Sequence, residues 1–232
     1  MSFVIGCDIG KRADHTAIVV VERVKTVAPE AEPVDTWRSP YRVPTPETRF
    51  IVRELGRLPL GTSHDIGARA IAEVVHNVNC YDPDTTPRLF VDATGIGEPV
   101  LDAMEKYLPS AVTARRVWWT SGEKIRADGG RLMVGKAWLV SRLQALVDTQ
   151  CVEVPSTPQA QQLLEELMSF EIRVTDHGSV VASARAGAHD DLVMALALCV
   201  LEDDSPGIHY GGPVLYPTDD WEDLHRMPPG QW

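Results

Sequence analysis

Phe3-Val4-Ile5-Gly6-Cys7-Asp8-Ile9-Gly10 is a run of apolar and β-branched residues that halts at an aspartate between two glycine-bearing dipeptides. Such a run reads as a buried strand over Phe3–Asp8, with Asp8 at its mouth. A polar, turn-like Lys11–His15 follows, and then a valine-rich second strand over Thr16–Val24. Asp8 therefore ends the first arm of a hairpin. An unpaired carboxylate in that position is costly unless a cation or a donor meets it.

The remaining pattern alternates strand and helix. Val34–Val43 reads as a third strand and Thr48–Leu58 as a short helix. Asp65–Val78 has apolar residues at helical spacing. Arg88–Asp92 is a strand that again ends in aspartate, Glu98–Tyr107 a helix and Ala111–Trp118 a strand. Thr120–Gly130 is a polar loop and Gly130–Thr149 a long helix. Val152–Val154 is extended, and Pro158–Phe170 is an amphipathic helix. Glu171–Thr175 and Ser179–Ala184 form a hairpin about Asp176-His177-Gly178. Asp190–Leu201 is apolar on nearly every side, which predicts a buried helix. The order predicts an α/β fold: a mixed β-sheet flanked by helices on both faces, with an extra β-hairpin before the last helix.

Composition bounds the rest. At 232 residues and 44% hydrophobic the chain can bury one substantial core. We expect one domain over 1–204 and an irregular acidic, Pro-, Gly- and Trp-containing tail over 205–232. The longest apolar run, Leu192–Leu201, is far short of a bilayer span. No signal-peptide pattern opens the sequence, so a soluble protein that is not secreted is expected. Four scattered cysteines make no CxxC pair, which argues for reduced thiols rather than a zinc site.

The net charge is −11, but it is unevenly spread. From Glu202 onward seven acids face one base, whereas Ala111–Arg142 carries seven bases and two acids. That basic stretch is where a phosphate backbone would be met. Arg115, Arg116, Lys124, Arg126 and Arg131 are the candidates for DNA contact; an ordinary solvated face is the competing reading. Trp118-Trp119 lies beside them, able to stack on bases or to end a strand in the core.

Three acid sites carry the chemistry. Asp8 ends the first strand. Asp92 ends another within Leu89-Phe90-Val91-Asp92-Ala93-Thr94-Gly95. Asp190 and Asp191 open the last helix within Gly187-Ala188-His189-Asp190-Asp191-Leu192. Singly, each is explained as a turn former or a helix cap. Jointly they are hard oxygen donors that one sheet could gather around Mg²⁺ or Mn²⁺. Two such ions roughly 4 Å apart can activate a water and stabilise a leaving oxygen in phosphodiester hydrolysis.

These residues resemble the nuclease domain of phage large terminases, in the RNase H-like superfamily, over about residues 3–203. Asp8-Ile9-Gly10 followed by Thr16-Ala17-Ile18-Val19 is similar to that family's first motif. Val91-Asp92-Ala93-Thr94-Gly95-Ile96-Gly97 is similar to its second. His189-Asp190-Asp191 before an apolar helix is similar to its third. The resemblance implies an RNase H-like fold and a metal-dependent endonuclease that cuts concatemeric double-stranded viral DNA during packaging. It implies Asp8, Asp92, Asp190 and Asp191 as ligands of two Mg²⁺ or Mn²⁺ ions, with His189 orienting a water or a ligand. It also implies a terminase ATPase, a small terminase and a portal as partners, in the host cytoplasm and away from membrane.

The chain departs from a whole large terminase in having no GxxxxGK[ST] phosphate loop. The nuclease is then an excised domain or a separate polypeptide. The long gap between Asp8 and Asp92 implies an insertion, placed at Thr45–Asn79. A Holliday-junction-resolvase-like nuclease, a sugar- or acetate-kinase-like ATPase and a non-catalytic module remain open as alternatives.

Overall fold

The computed structural model describes residues 1–10, 14–26, 47–94, 97–121, 125–128, 131–174, 180–184 and 189–201. The expected strand at 34–43, the loop before it and the acidic tail, including Trp221 and Trp232, lie outside them.

Eight strands form one sheet. β1 (Ser2–Asp8) lies at its centre, antiparallel to β2 (Ala17–Thr26) and parallel to β4 (Arg88–Asp92). Beyond β2 come β3 (Glu47–Arg57) and the two-residue β8 (Val152–Glu153). Beyond β4 come β5 (Ala114–Thr120), β7 (Arg131–Gly135) and the edge strand β6 (Ile125–Asp128). The central strands are apolar almost throughout because both faces are covered. On β1, Phe3, Ile5 and Cys7 join the core under α1 (His64–Tyr81) and α2 (Gly97–Glu105). Val4 points the other way, toward α3 (Lys136–Asp148), α4 (Pro158–Ser169) and α5 (Asp191–Cys199). A separate hairpin, β9 (Phe170–Val174) with β10 (Val180–Ala184), precedes α5. The α/β mixed sheet with helices on both faces, and the hairpin before the last helix, are as the sequence predicts.

Two expected helices are in part strands. Where a short helix was expected over Thr48–Leu58, the chain forms β3. Its pairing with β2 skips Arg53, so that Val20 faces Glu54 and Val21 faces Val52. The extra residue shifts the strand's alternation by one. Buried Phe50, Val52 and Leu55 then fall at intervals of two and three, which breaks the strict alternation that marks a strand. Arg53 itself turns onto the buried Glu22, 2.7 Å from Nε to the carboxylate. The predicted helix from Gly130 begins only at Lys136. Arg131–Gly135 pairs in parallel with β5, and its alternate residues Leu132 and Val134 are buried. Residues 125–128 of the expected loop form β6. The stretch read as an insertion contributes β3 and most of α1, whose Ala68, Ile71, Val74 and Val75 are core residues. It is part of the domain, and α1 starts on a Ser63 cap that accepts from the Ile66 amide.

α5 is the element that locks the sheet. Every residue from Asp191 to Cys199 is buried, and the helix lies directly on β1 and β2. That approach is possible because residue 6 has no side chain. A Cβ there would stand 2.0 Å from the Ala195 carbonyl oxygen and 2.9 Å from Cys199 Sγ. Cys199 Sγ in turn donates to the Val19 carbonyl at 3.4 Å.

We expect Gly6→Ala to lower unfolding stability by about 1–3 kcal/mol or more, since backbone cannot yield as a flexible side chain does. Urea unfolding followed by circular dichroism measures it, and an unchanged midpoint would contradict the close packing of α5 on β1.

Candidate metal centre

Parallel pairing of β1 with β4 sets Val4 beside Arg88 and Cys7 beside Val91, so the next residues, Asp8 and Asp92, leave the sheet level with each other. Neighbouring strands run about 4.8 Å apart. The two carboxyl groups come within hydrogen-bonding reach of each other. Asp92 is oriented from below, because its Oδ1 accepts from the Thr94 amide at 2.7 Å. Thr94 Oγ1 accepts from the Trp119 amide at 3.0 Å, which ties this turn to β5. On the other side the turn after Asp8 is closed by the Gly10 amide donating to Thr16 Oγ1 at 3.1 Å. A Cβ on Gly10 would fall 2.3 Å from the Asp14 carbonyl oxygen, so glycine is required there for closeness.

Electrostatics draw in the third acid site. Burial is the main reason that the Asp8 carboxyl is pushed well above the usual carboxylate range. The negative charges of Asp92, Asp191 and Asp190, in that order, push it further. Asp191 is also pushed up by burial, against the opposing pull of Arg57 and His189. Four carboxylates from β1, β4 and the start of α5 thus share one field. Asp190 and Asp191 part company within it. Asp191 is buried, with Oδ2 3.4 Å from Arg57 Nε and 3.8 Å from His189 Nδ1. Asp190 is partly exposed and meets Lys136 Nζ at 3.2 Å. Helical geometry rotates consecutive residues by about 100°, which accounts for the divergence.

The sequence reading missed four contributors. Arg57 at the end of β3 and Glu166 in α4 pair with each other and enclose Asp191. Lys136, the first residue of α3, reaches Asp190. His15 Nδ1 donates to the Leu58 carbonyl oxygen, 2.9 Å away, and its ring packs edge-on to His189 with centroids 5.8 Å apart. Only tertiary structure brings these together, although a buried acid inside an otherwise amphipathic helix, as Glu166 is, signals a partner.

Among the described residues, no three His, Cys, Asp or Glu side chains converge into a ready cage for an ion. The donors nonetheless fit a hard divalent cation. They are carboxyl oxygens, and Asp8 and Asp92 stand side by side at level strand ends, where ionising both is costly and such an ion would offset the repulsion. Of the predicted DNA contacts, Lys124 lies outside the described residues. Arg126 is exposed on the edge strand β6. Arg131 lies over the Trp118 ring, 5.1 Å from its centroid. Arg116 is tied to Asp102 and Glu105 of α2 at 3.1 and 2.9 Å, so its charge is largely met within the domain. The two tryptophans separate: Trp118 packs on the α1–α2 side of the sheet and Trp119 on the α3–α5 side. Cys7, Cys151 and Cys199 are buried free thiols, and Cys80 is an exposed one.

No protein-family model and no curated protein matches the sequence. The fold does match solved structures. The large terminase nuclease of thermophilic phage G20c with bound magnesium is similar, with 21% identity and a TM-score of 0.51, over 85% of this chain and 79% of that one. So is the nuclease domain of the large terminase subunit of bacterial virus Sf6. It has 11% identity and a TM-score of 0.59, over 86% and 87% of the two chains. The Mn-soaked human cytomegalovirus terminase nuclease domain gives 14% identity and a TM-score of 0.50, over 84% and 80%. At these identities the likeness is one of fold: the chain has the architecture of terminase nuclease domains, as the motifs led one to expect.

A pH experiment probes the site. Because folding raises the Asp8 pKa, the folded state favours the protonated carboxyl, so this contribution is complete below the unfolded value of about 3.9 and is lost as pH rises through the folded one. Asp8→Asn is therefore expected to gain thermal stability relative to the parent as pH increases from 4 to 8 in EDTA. A difference that is flat or shrinks with pH would contradict the buried, crowded carboxyl.

Proposed function

We propose that this chain is a divalent-metal-dependent endonuclease that hydrolyses phosphodiester bonds of double-stranded DNA, as a terminase nuclease does when it cuts concatemeric viral DNA during packaging. The observation that carries the reading is the level exit of Asp8 and Asp92 from adjacent parallel strands, with Asp191 in the same field. The three solved neighbours support it, two of them by the metals named with them.

In this reading Asp8, Asp92 and Asp191 hold Mg²⁺ or Mn²⁺, with Asp190 at the outer edge and two ions as the expected complement. Bound there, such ions neutralise the scissile phosphate and acidify the attacking water. The protein's own part is positioning. The Thr94 amide fixes the Asp92 carboxylate, and the Gly10–Thr16 turn fixes the chain beyond Asp8. His189, half-exposed at the rim, is placed to orient a water or a ligand. Lys136 and the exposed Arg126 contribute positive charge at the strand ends, where a phosphate backbone would arrive; Arg115 and Arg131 extend that surface, and Lys124, outside the described residues, stays a candidate from the sequence. Arg116 has the weaker claim because acids already engage it. By the same reading the chain works with a packaging ATPase, small terminase and portal in the host cytoplasm. Among the described residues no helix is long and apolar enough to cross a membrane.

A supercoiled-plasmid assay with Mn²⁺ tests this. Cleavage is expected with the parent, and its loss to background in EDTA, in Asp8→Ala and in Asp92→Asn. Full cleavage by Asp92→Asn and Asp191→Asn combined would remove the metal assignment. ATP hydrolysis without DNA cleavage would favour the kinase-like alternative.

A further inference from the structure

The amino end of α5 is capped from outside. Its N-cap residue, Asp190, makes no side-chain cap bond. Instead Glu166 Oε2, from α4, accepts from the amides of Leu192 at 2.9 Å and Val193 at 3.0 Å, both bonds buried. The other oxygen of Glu166 is held by the Arg57 guanidinium. Arg57 Nε faces Asp191 Oδ2 at 3.4 Å. The three side chains come from β3, α4 and α5 and are 17%, 6% and 8% exposed. Within the described residues, Arg57 Nε, Glu166 Oε1 and Asp191 Oδ2 have no conventional hydrogen-bond partner and rely on this ionic contact.

The arrangement is unusual for a helix that opens with two aspartates. A helix N-terminus attracts carboxylates, and an N-cap aspartate ordinarily turns back onto its own amides. Glu166 fills that role from another element, which leaves Asp190 to meet Lys136 and Asp191 to lie buried beside Arg57. Arg57 poses a second problem. A guanidinium against Asp191 is a cation competing for the carboxylate that the proposed function needs. Glu166 answers it by sharing the same guanidinium.

We propose that Glu166 and Arg57 are positioning residues for Asp191: Glu166 supplies the helix cap and withholds the Arg57 charge from Asp191, so that this carboxylate is fixed yet available to a divalent cation. This rests on the metal reading of Asp191 given above. A purely structural role would have the pair only fasten α4 to β3, with no consequence for metal affinity beyond any loss of fold.

The test is a titration of the full chain with Mn²⁺ alone, followed by electron paramagnetic resonance of the free ion, with the melting temperature recorded for each variant. Glu166→Gln keeps an acceptor for the two amides but releases the Arg57 guanidinium onto Asp191. It is expected to weaken Mn²⁺ binding by about tenfold or more, the range seen when partners of metal ligands are changed. Adding Arg57→Gln in the same chain removes the competing cation and is expected to return the affinity to near the parent's, whatever the melting temperature does. Unchanged affinity in Glu166→Gln overturns the proposal, as does a double variant no better than the single one. Should Glu166→Gln not fold, the double variant, which removes both members of the Glu166–Arg57 pair together, decides: parent-like affinity supports the brace and lost affinity overturns it. A parent that binds no Mn²⁺ would bring down the metal reading and this inference together, whereas normal parental binding with an indifferent Glu166→Gln brings down this inference alone.

Discussion

Acidic groups held close at the ends of the central strands are the constraint on which this structure turns. Asp8 and Asp92 leave adjacent parallel strands at the same level, and nothing in the backbone can separate them. Burial and three neighbouring carboxylates hold the Asp8 carboxyl out of its usual range. A fold that tolerates such a cost at the mouth of its central strands has a use for the charge. Structural purposes are already met elsewhere by paired groups, such as Glu22 with Arg53.

The fold serves this site in two ways. The sheet supplies level strand ends, made rigid by cores on both faces. α5 supplies the remaining acids, and its position depends on Gly6, where the helix meets the β1 backbone without a side chain between them. The cap on α5 links the two: Glu166 fastens the helix start, and Arg57 carries that contact to β3. Packing and charge placement are thus one arrangement, and the buried ionic contacts specify where the helix begins rather than add much stability of their own.

Misread segments share one cause. β3 was obscured by its bulge at Arg53, which breaks the alternation by which a strand is recognised. β7 was hidden because Arg131–Gly135 runs straight into a helix without a punctuating proline or polar turn, and only pairing with β5 makes it a strand. Short apolar runs take either form, and the sheet partner decides. The supposed insertion at Thr45–Asn79 rested on the length of the gap between Asp8 and Asp92, which β3 and α1 fill as elements of the domain.

The sequence by itself determined the α/β class, the strands ending in Asp8 and Asp92 and the buried last helix, and it singled out the acids proposed here as ligands. These are local matters: apolar runs stopped by aspartates, and helical periodicity, are properties of contiguous residues. Tertiary structure alone decided which of Asp190 and Asp191 turns inward, that Arg116 is engaged by Asp102 and Glu105, and that Glu166 and Arg57 surround Asp191. Each of those depends on side chains from distant segments meeting, where the energy of a charge is set by its neighbours in space and not by its neighbours in the chain.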